Sequence, residues 1–269
     1  MDSASDSRLH EIDRFLASVG DGWDRANRTP LGQDASTRRY IRLLREDGAS
    51  ALLMDAPRVE DDPCPPDANR ALREKMGWNA MTRLAASRVE AFALIAGHLR
   101  SLGLEAPDVY AFDPAAGFAL IEDFGEGREF ARMIERGEAD ERMLYRAAAE
   151  TLARLHAAPI PKRLEQAGVV WPILDFDAVA LGANADLYAD WLPLEAGGAK
   201  LVGEARARWE AERDALIEKA MSFPRAFTLR DYHAENLLPR TFFGFLGGAL
   251  ASWIFRMRCA AGTPGTWRC

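Results

Sequence analysis

Two residues near the C-terminus, Asp231 and Asn236, have side chains suited to phosphate chemistry. The segment "LRDYHAENLLPR" (229–240) places them five positions apart, in a loop-like stretch directly after the apolar run "AFTL". Phosphoryl transfer needs a carboxylate aimed at the attacking hydroxyl and a magnesium ion that bridges the phosphates. Asp231 has the carboxylate, and the amide oxygen of Asn236 is a hard ligand of the kind that magnesium prefers. A capping aspartate followed by a surface asparagine would have the same spacing, so the neighbouring elements must decide between the two interpretations.

The order of the predicted elements indicates an α+β protein with two lobes. After an opening helix, "RRYIRLL" and "SALLMDAP" flank the turn pair Asp47-Gly48 and predict an antiparallel hairpin. A helical stretch at 79–102 follows, and "DVYAFDPAAGFALIE" then predicts two strands joined by an Asp-Pro turn. Residues 128–221 predict mainly helix, with prolines that interrupt it. We therefore expect a small antiparallel-sheet lobe over residues 1–122, a helical lobe over 123–238 that contains the Asp231 loop, and an atypical tail over 239–269.

The composition restricts the class of partner. With 48% hydrophobic and 28% charged residues the sequence is typical of a soluble globular protein, and its net charge of -7 gives no general attraction to nucleic acid or to an anionic membrane. The N-terminus has no secretion pattern, and no CxxC pair occurs among the three cysteines, Cys64, Cys259 and Cys269. We expect a cytoplasmic monomer with reduced thiols that acts on a small molecule, without a nucleic-acid or membrane partner.

The sequence resembles the phosphotransferases with a protein-kinase-like fold, a family that includes aminoglycoside kinases, choline kinases and bacterial amino-sugar kinases. In "LRDYHAENLL", Asp231 matches the family's catalytic aspartate and Asn236 its metal-binding asparagine, whereas Leu229 stands where many members carry histidine. The segments "DASTRRYIRL", "LLMDAP" and "LRSLGLEAPDVYA" are similar to the branch of anomeric N-acetylmuramate/N-acetylglucosamine kinases. The likeness spans roughly residues 7–238. It implies a two-lobed kinase-like fold, ATP and Mg²⁺ as cofactors, and transfer of the γ-phosphate to a hydroxyl of an amino sugar.

The resemblance also implies that "LGQDASTRRY" covers the phosphates of ATP. This segment lacks the repeated glycines of a kinase phosphate loop, so phosphate binding is expected to involve side chains of Ser36, Thr37 and either Arg38 or Arg39. A solvated polar turn is the alternative. Met54 lies near the position where protein kinases place a phosphate-binding lysine, so the clamping base is not assigned. Glu90 could pair with such a base, although we expect an exposed glutamate on the surface of a helix.

Two acidic motifs precede the Asp231 loop. In this fold the second metal-binding aspartate follows the catalytic loop, so the literal D-F-G at 123–125 is not that site. We interpret this region as the hinge between lobes, where the backbone would meet adenine at Ile121, Glu122, Asp123 and Phe124. In "ILDFDA", Asp175 and Asp177 are candidates for binding substrate hydroxyls, with a helix N-cap as the favoured alternative for either aspartate.

The C-terminal tail differs in composition from the rest of the chain. Residues 237–269 contain no aspartate or glutamate, although the chain has 41 acidic residues, so the tail cannot supply a second magnesium carboxylate. One interpretation is a membrane anchor, but the apolar run at 241–255 is shorter than the roughly 20 residues that span a bilayer. A divergent end of the helical lobe is another. We favour a third, a change of reading frame shortly after Leu238, which would leave the C-terminal part of the fold incomplete.

Two hypotheses about function follow from these observations. The first is an ATP-dependent kinase for an amino sugar, with choline or an aminoglycoside as alternative acceptors. The second is a pseudokinase that binds nucleotide and has lost activity, because a second metal-binding aspartate and the phosphate lysine are both absent from their expected places.

Overall fold

Five antiparallel strands form one sheet in the computed structural model, which describes residues 3–31, 38–57, 64–85, 88–239 and 253–255. The strands lie in the order β1-β2-β3-β5-β4. Their bounds are Asn27–Pro30 for β1, Arg39–Leu44 for β2, Ser50–Asp55 for β3, Val109–Asp113 for β4 and Phe118–Glu122 for β5. The sheet and the helices around it make this an α+β protein, as the element order predicts.

Short turns set the register of the sheet where the sequence predicts them. Between β2 and β3, Gly48 adopts a left-handed conformation with φ of 85°, which glycine tolerates without steric penalty. The Arg45 N–H donates to the Ala49 carbonyl at 2.9 Å and closes this turn. Between β4 and β5, the Asp113 carboxylate accepts hydrogen bonds from the N–H groups of Ala115 and Ala116, both at 2.9 Å. Both predicted hairpins are therefore confirmed.

The sheet is covered by a helix on each face, because alternate side chains of a strand point to opposite sides. On one face, α1 (Ser3–Val19) contributes Ile12, Phe15 and Leu16 to a buried cluster that also contains Leu43, Ala51, Leu53, Phe118 and Leu120. On the other face, α4 (Val89–Ser101) contributes Val89 and Phe92 to a cluster with Leu52, Met54, Ala56, Ala119 and Ile121. Strand β3 is thus buried from both sides.

The remaining elements are mainly helices. Before α4 come α2 (Arg70–Met76) and α3 (Trp78–Met81), and after β5 come α5 (Phe130–Glu135), α6 (Glu141–Ala157), α7 (Ala178–Glu195) and α8 (Gly203–Met221). The stretch predicted as helix at 79–102 is therefore two helices, α3 and α4. A hairpin of β6 (Arg163–Gln166) and β7 (Val169–Pro172) interrupts the predicted helical region. Its turn residues, Ala167 and Gly168, both have positive φ, as a tight hairpin requires.

The described residues fall into two compact units. One unit includes the described parts of 1–59, 87–171 and 226–261, and so holds the five-stranded sheet, α1, α4, α5, α6 and the Asp231 loop. The other includes those of 60–86 and 172–225, and holds α2, α3, α7 and α8. The predicted lobe boundary at residues 122 and 123 stays a prediction.

Little of the tail is described. Of residues 240–269 the structure describes 253–255, which form β9 (Trp253–Phe255) and pair antiparallel with β8 (Leu237–Pro239). The three interpretations of the tail therefore stay predictions. Among the described helices, none is both long enough and apolar enough to cross a membrane.

Candidate active site

The Asp231 loop is closed by the side chain of Asn236. Its amide nitrogen Nδ2 lies 2.9 Å from the Asp231 carbonyl oxygen and 3.0 Å from His233 Nε2. A carbonyl oxygen only accepts hydrogen bonds, so the Asn236 atom that faces it must be the nitrogen. His233 Nε2 then accepts the second hydrogen bond, and the proton of the imidazole ring is carried by Nδ1. The amide oxygen of Asn236 is consequently the atom with magnesium-ligand chemistry.

The backbone of the loop adds two further hydrogen bonds. The His233 N–H donates to the Asp231 carbonyl at 3.1 Å, and the Asn236 N–H donates to the His233 carbonyl at 2.9 Å. Asn236 is fully buried, whereas Asp231 is half-buried. The alternative of a surface asparagine is therefore wrong.

Helices of the same unit hold this loop in place. The Tyr232 hydroxyl donates to the Ala148 carbonyl on α6 at 2.8 Å, and burial raises the pKa of Tyr232 to about 12, so the phenol is a neutral donor. The Ala131 N–H at the start of α5 donates to the Ala234 carbonyl at 3.2 Å. On the N-terminal side of the loop, the buried ring of Phe227 lies 5.3 Å from the His98 ring on α4. The segment that carries Asp231 is therefore anchored by contacts with three helices.

The predicted hinge begins at the end of β5. Ile121 is buried against the face of the sheet that α4 covers. The Glu122 N–H donates to the Asp108 carbonyl at 2.9 Å, and the Glu122 carboxylate accepts from the Asp108 N–H at 3.1 Å. Because this N–H already donates to Asp108, which directly precedes β4, Asp123 and Phe124 become the stronger candidates for backbone contacts with adenine.

The side chain of Asp123 is paired with an arginine of β2. Arg42 donates to one carboxylate oxygen from Nε at 2.7 Å and to the other from its terminal nitrogen at 3.2 Å. Only 3% of the Asp123 side chain is exposed. The hydrogen bonds to Asp123 hold the pKa of Arg42 above its usual value. Both oxygens of this carboxylate are engaged by a guanidinium, and the hinge interpretation of the D-F-G sequence stays a prediction.

The predicted phosphate-binding side chains are only partly described. Ser36 and Thr37 lie outside the described residues. Arg39 pairs with Asp55 at 2.7 Å, and Asp55 also accepts two hydrogen bonds from Arg8 of α1. The guanidinium of Arg39 is therefore paired with a buried carboxylate that α1 also contacts. The side chain of Arg38 is buried and in contact with other residues.

The expectation that Glu90 is exposed is wrong, because only 3% of this residue is accessible. The neighbouring Val89 packs in the cluster beneath α4, which buries the first turn of the helix. Glu90 accepts a hydrogen bond from Arg88 Nε at 2.6 Å, and the Arg88 guanidinium lies 5.8 Å from the Trp171 ring. Sequence reasoning missed Arg88. The available signal was a basic residue two positions before the glutamate, at the start of a helix.

The two aspartates of "ILDFDA" belong to the other unit. Asp177 caps α7 by accepting a hydrogen bond from the Ala180 N–H at 3.0 Å, so the N-cap interpretation is confirmed for this residue. Both its carboxylate oxygens also accept from Arg73, which is 2% exposed. Burial opposes ionisation of Asp177, but these hydrogen bonds outweigh it and lower its pKa. Asp175 is exposed and pairs with Arg225 at 2.8 Å. A substrate role for either aspartate stays a prediction.

In the part of the chain that the structure describes, no group of three or more His, Cys, Asp or Glu residues is arranged to hold a metal ion. The side chain of Asn236 is held by its hydrogen bond to the Asp231 carbonyl. Its amide oxygen fits one ligand position of a magnesium site.

A model of the phosphotransferase enzyme family matches residues 27–241. The chain belongs to this family. The matched region includes the sheet of this phosphotransferase family member, its predicted hinge and the entire Asp231 loop, so the resemblance seen in the sequence is confirmed.

Two relatives and one solved structure are similar to this family member. It is 45% identical over 224 residues to an N-acetylmuramate/N-acetylglucosamine kinase of Caulobacter vibrioides, a match that covers 83% of this chain and 60% of the relative. It is 29% identical over 244 residues to a protein of the same name from Pseudomonas aeruginosa, covering 87% of this chain and 61% of the relative. The chain thus spans about three-fifths of the length of these relatives. A Rio2 kinase-ADP/Mg²⁺-phosphoaspartate complex from Chaetomium thermophilum has 13% identity and a TM-score of 0.28, covering 73% of this chain and 66% of that one.

Proposed function

We propose that the protein is an ATP- and magnesium-dependent phosphotransferase that transfers the γ-phosphate to a hydroxyl of an amino sugar, N-acetylmuramate or N-acetylglucosamine. The observation that carries the proposal is the hydrogen bond of 2.9 Å between Asn236 Nδ2 and the Asp231 carbonyl, because it combines a catalytic carboxylate and a magnesium-ligand oxygen in one turn. Relatives named as kinases for these two sugars support the choice of acceptor.

Asp231 orients the acceptor hydroxyl and takes its proton. The hydroxyl oxygen forms a bond to the γ-phosphorus while the bond from that phosphorus to the bridging oxygen breaks, and ADP leaves. Asn236 offers its amide oxygen to magnesium, which, when bound, supplies positive charge against the phosphate oxygens. Tyr232 stays neutral and holds the backbone beside Asp231 against α6.

The nucleotide is expected to contact the sheet and the hinge. Either Arg38 or Arg39 provides the guanidinium for the phosphates, and the guanidinium of Arg39 also pairs with Asp55. Arg88 is buried and donates a hydrogen bond to Glu90. The family resemblance implies that this glutamate pairs with a phosphate-binding base, and we propose Arg88 as that base. Ser36 and Thr37 complete the proposed contacts with the phosphates. The backbone of Asp123 and Phe124 makes the proposed contacts with adenine. We further propose that the protein acts in the cytoplasm as a monomer.

A second candidate function is nucleotide binding without phosphate transfer. It is favoured by two observations. Among the described residues no group of three or more His, Cys, Asp or Glu residues could hold a metal ion, and the side chain of Met54 is fully buried in the apolar cluster beneath α4. A lysine at this position of β3 would provide positive charge for phosphate, and methionine does not.

A panel of phosphate acceptors tests the proposal. The purified protein is incubated with labelled ATP and magnesium, together with N-acetylmuramate, N-acetylglucosamine, choline or kanamycin in separate reactions. We expect transfer to one or both of the sugars. Transfer to choline or kanamycin alone would overturn the choice of acceptor, while nucleotide binding with no transfer to any acceptor would favour the second candidate.

A further inference from the structure

Arg42 lies in a row of residues that crosses the sheet towards the hinge. Its Cα partner on β3 is Leu52, and the partner of Leu52 on β5 is Ile121. Residues opposite one another on neighbouring strands share a face of the sheet. Leu52 and Ile121 belong to the cluster that α4 covers, so Arg42 lies on that same face. Ile121 is also the first residue of the predicted hinge.

The contact of Arg42 with the hinge is well formed. The Arg42–Asp123 hydrogen bonds are charge-assisted and two-pronged, an arrangement that fixes direction as well as distance. Asp123 also accepts from the Gly125 N–H at 3.0 Å, so the same carboxylate organises the backbone two residues further on. A second contact joins Arg42 to the exposed side chain of Glu126.

The segment that this contact holds has little rigidity of its own. Residues 123–129 are neither helix nor strand. Gly125 and Gly127 both have positive φ, at 80° and 68°, and glycine has the largest conformational freedom to lose when it is ordered. If this backbone were not ordered in advance, a ligand that binds it would have to order it, and its affinity would fall accordingly.

We propose that Arg42 is a positioning residue for the nucleotide, which acts through Asp123 to keep the hinge backbone in its binding conformation. This inference rests on the proposed function, because contact between the hinge and adenine belongs to it. The core of the sheet is made of apolar residues on both faces and does not include the Arg42 side chain. Loss of the contact should therefore weaken nucleotide binding more than it weakens the fold.

The test measures the dissociation constant of a fluorescent ADP analogue for the full chain and its variants. Arg42→Gln and Asp123→Asn should each raise it about tenfold, since each removes charge-assisted hydrogen bonds from a buried carboxylate site. The double variant should resemble either single variant, because the two residues act as one unit. Arg42→Lys keeps the positive charge but cannot make the two-pronged hydrogen bonds of a guanidinium, and should raise the dissociation constant about threefold.

A matched control is available in the same unit. Arg28 of β1 pairs with Asp13 of α1 at 2.7 Å, and its side chain is 27% exposed, close to the 22% of Arg42. Arg28→Gln should leave the dissociation constant within about twofold, because a partly exposed ion pair away from the hinge contributes little. Thermal unfolding of each variant checks that the fold is retained.

The outcomes separate this inference from the proposed function. If the wild-type protein binds the analogue and the Arg42 and Asp123 variants bind it equally well, the inference is wrong and the proposed function is unaffected. The inference would also be wrong if the dissociation constant of the double variant rose by the product of the two single increases. If the wild-type protein binds no nucleotide, both fail. Should Arg42→Gln not fold, Arg42→Lys decides in its place.

Discussion

Asn236 donates a hydrogen bond of 2.9 Å from its side-chain amide to the backbone carbonyl of Asp231, and this bond fixes two functional groups at once. It closes the loop behind the Asp231 carboxylate, and it requires that the Asn236 amide nitrogen face the loop. The oxygen of the same amide is then the atom left to serve as a ligand for magnesium. The carboxylate that we propose as catalytic and the oxygen that we propose as a magnesium ligand are thus parts of one small turn.

The first prediction concerns Asn236→Asp, a change that preserves the size of the side chain and its oxygen ligand. It places a carboxylate oxygen against the Asp231 carbonyl and against His233 Nε2, so an acceptor faces acceptors at a fully buried position. We expect a loss of about 2 kcal/mol in the free energy of unfolding, together with loss of phosphate transfer. Denaturant unfolding and the transfer rate measure the two effects.

Asn184→Asp is the matched control for this change. The Asn184 amide donates to the Ala180 carbonyl at 2.7 Å within α7, but its side chain is only half-buried and can turn towards solvent. We expect a smaller loss of stability there and no change in transfer. An Asn236→Asp protein with wild-type stability and activity would show that Asn236 acts through its oxygen alone and does not brace the loop.

The second prediction is a dependence of stability on pH that originates at Tyr232. Burial raises the pKa of this phenol from 10.0 to about 12 in the folded state. Between these pH values the unfolded chain loses the proton first, so the contribution of Tyr232 to stability is complete below pH 10 and is lost as the pH rises towards 12. The difference in unfolding free energy between wild type and Tyr232→Phe should therefore shrink over this interval.

The comparison with Tyr232→Phe removes the titration of every other group from the measurement. At neutral pH the variant should be less stable by about 1 kcal/mol, because it loses the hydrogen bond to the Ala148 carbonyl. A difference between the two proteins that does not change from pH 9 to pH 12 would contradict the burial of this phenol.

The third prediction contrasts Asp177 with Asp175. Asp177→Ala removes the cap of α7 and leaves the buried Arg73 guanidinium without its carboxylate, so we expect a loss of about 3 kcal/mol in stability. Asp175→Ala breaks an exposed pair with Arg225 and should change stability by less than about 0.5 kcal/mol.

The same two variants test the substrate role predicted for these aspartates. The KM for the sugar should rise in Asp175→Ala if its exposed carboxylate binds a substrate hydroxyl. An unchanged KM in a folded Asp175→Ala protein would exclude this role. For Asp177, a loss of stability equal to that of Asp175→Ala would contradict the structural role given to its pair with Arg73.

Local chemistry explains which parts of the fold are predictable from sequence. The hairpin at Asp47-Gly48 and the cap at Asp177 each depend on a few consecutive residues, so their composition is sufficient to predict them. The hairpin of β6 and β7 was missed within a region of helical periodicity. Its signal was the pair Ala167-Gly168, between two short segments that each contain one buried apolar residue, Leu164 and Trp171.

Contacts between distant residues explain what could not be predicted. Arg42 and Asp123 are 81 positions apart, and neither has a local feature that selects the other. The burial of Glu90 follows from the packing of α4 on the sheet, whereas the sequence shows only an acidic residue in the first turn of a helix. Within the candidate site, Asp231 and Asn236 were predicted from their spacing and family resemblance, but the residues that anchor their loop were not.

The fourth prediction concerns the tail. A change of reading frame shortly after Leu238 predicts that a one-base correction of the coding DNA opens a frame that encodes an acidic, helical continuation. Sequencing the DNA around the codons for Leu238 and Pro239 measures this directly. If no alternative frame encodes such a continuation, the frame-change interpretation is wrong, and the pairing of β9 with β8 becomes part of the native fold.

Transfer of labelled γ-phosphate from ATP to N-acetylmuramate or N-acetylglucosamine, by the wild-type protein and by Asp231→Asn, tests the central claim most directly. Each protein is assayed with and without magnesium, and nucleotide binding is measured in parallel. The account predicts magnesium-dependent transfer by the wild type that falls on the order of 10³-fold in Asp231→Asn, with nucleotide affinity within about twofold. No transfer by the wild type to either sugar, or equal rates in the two proteins, would contradict it.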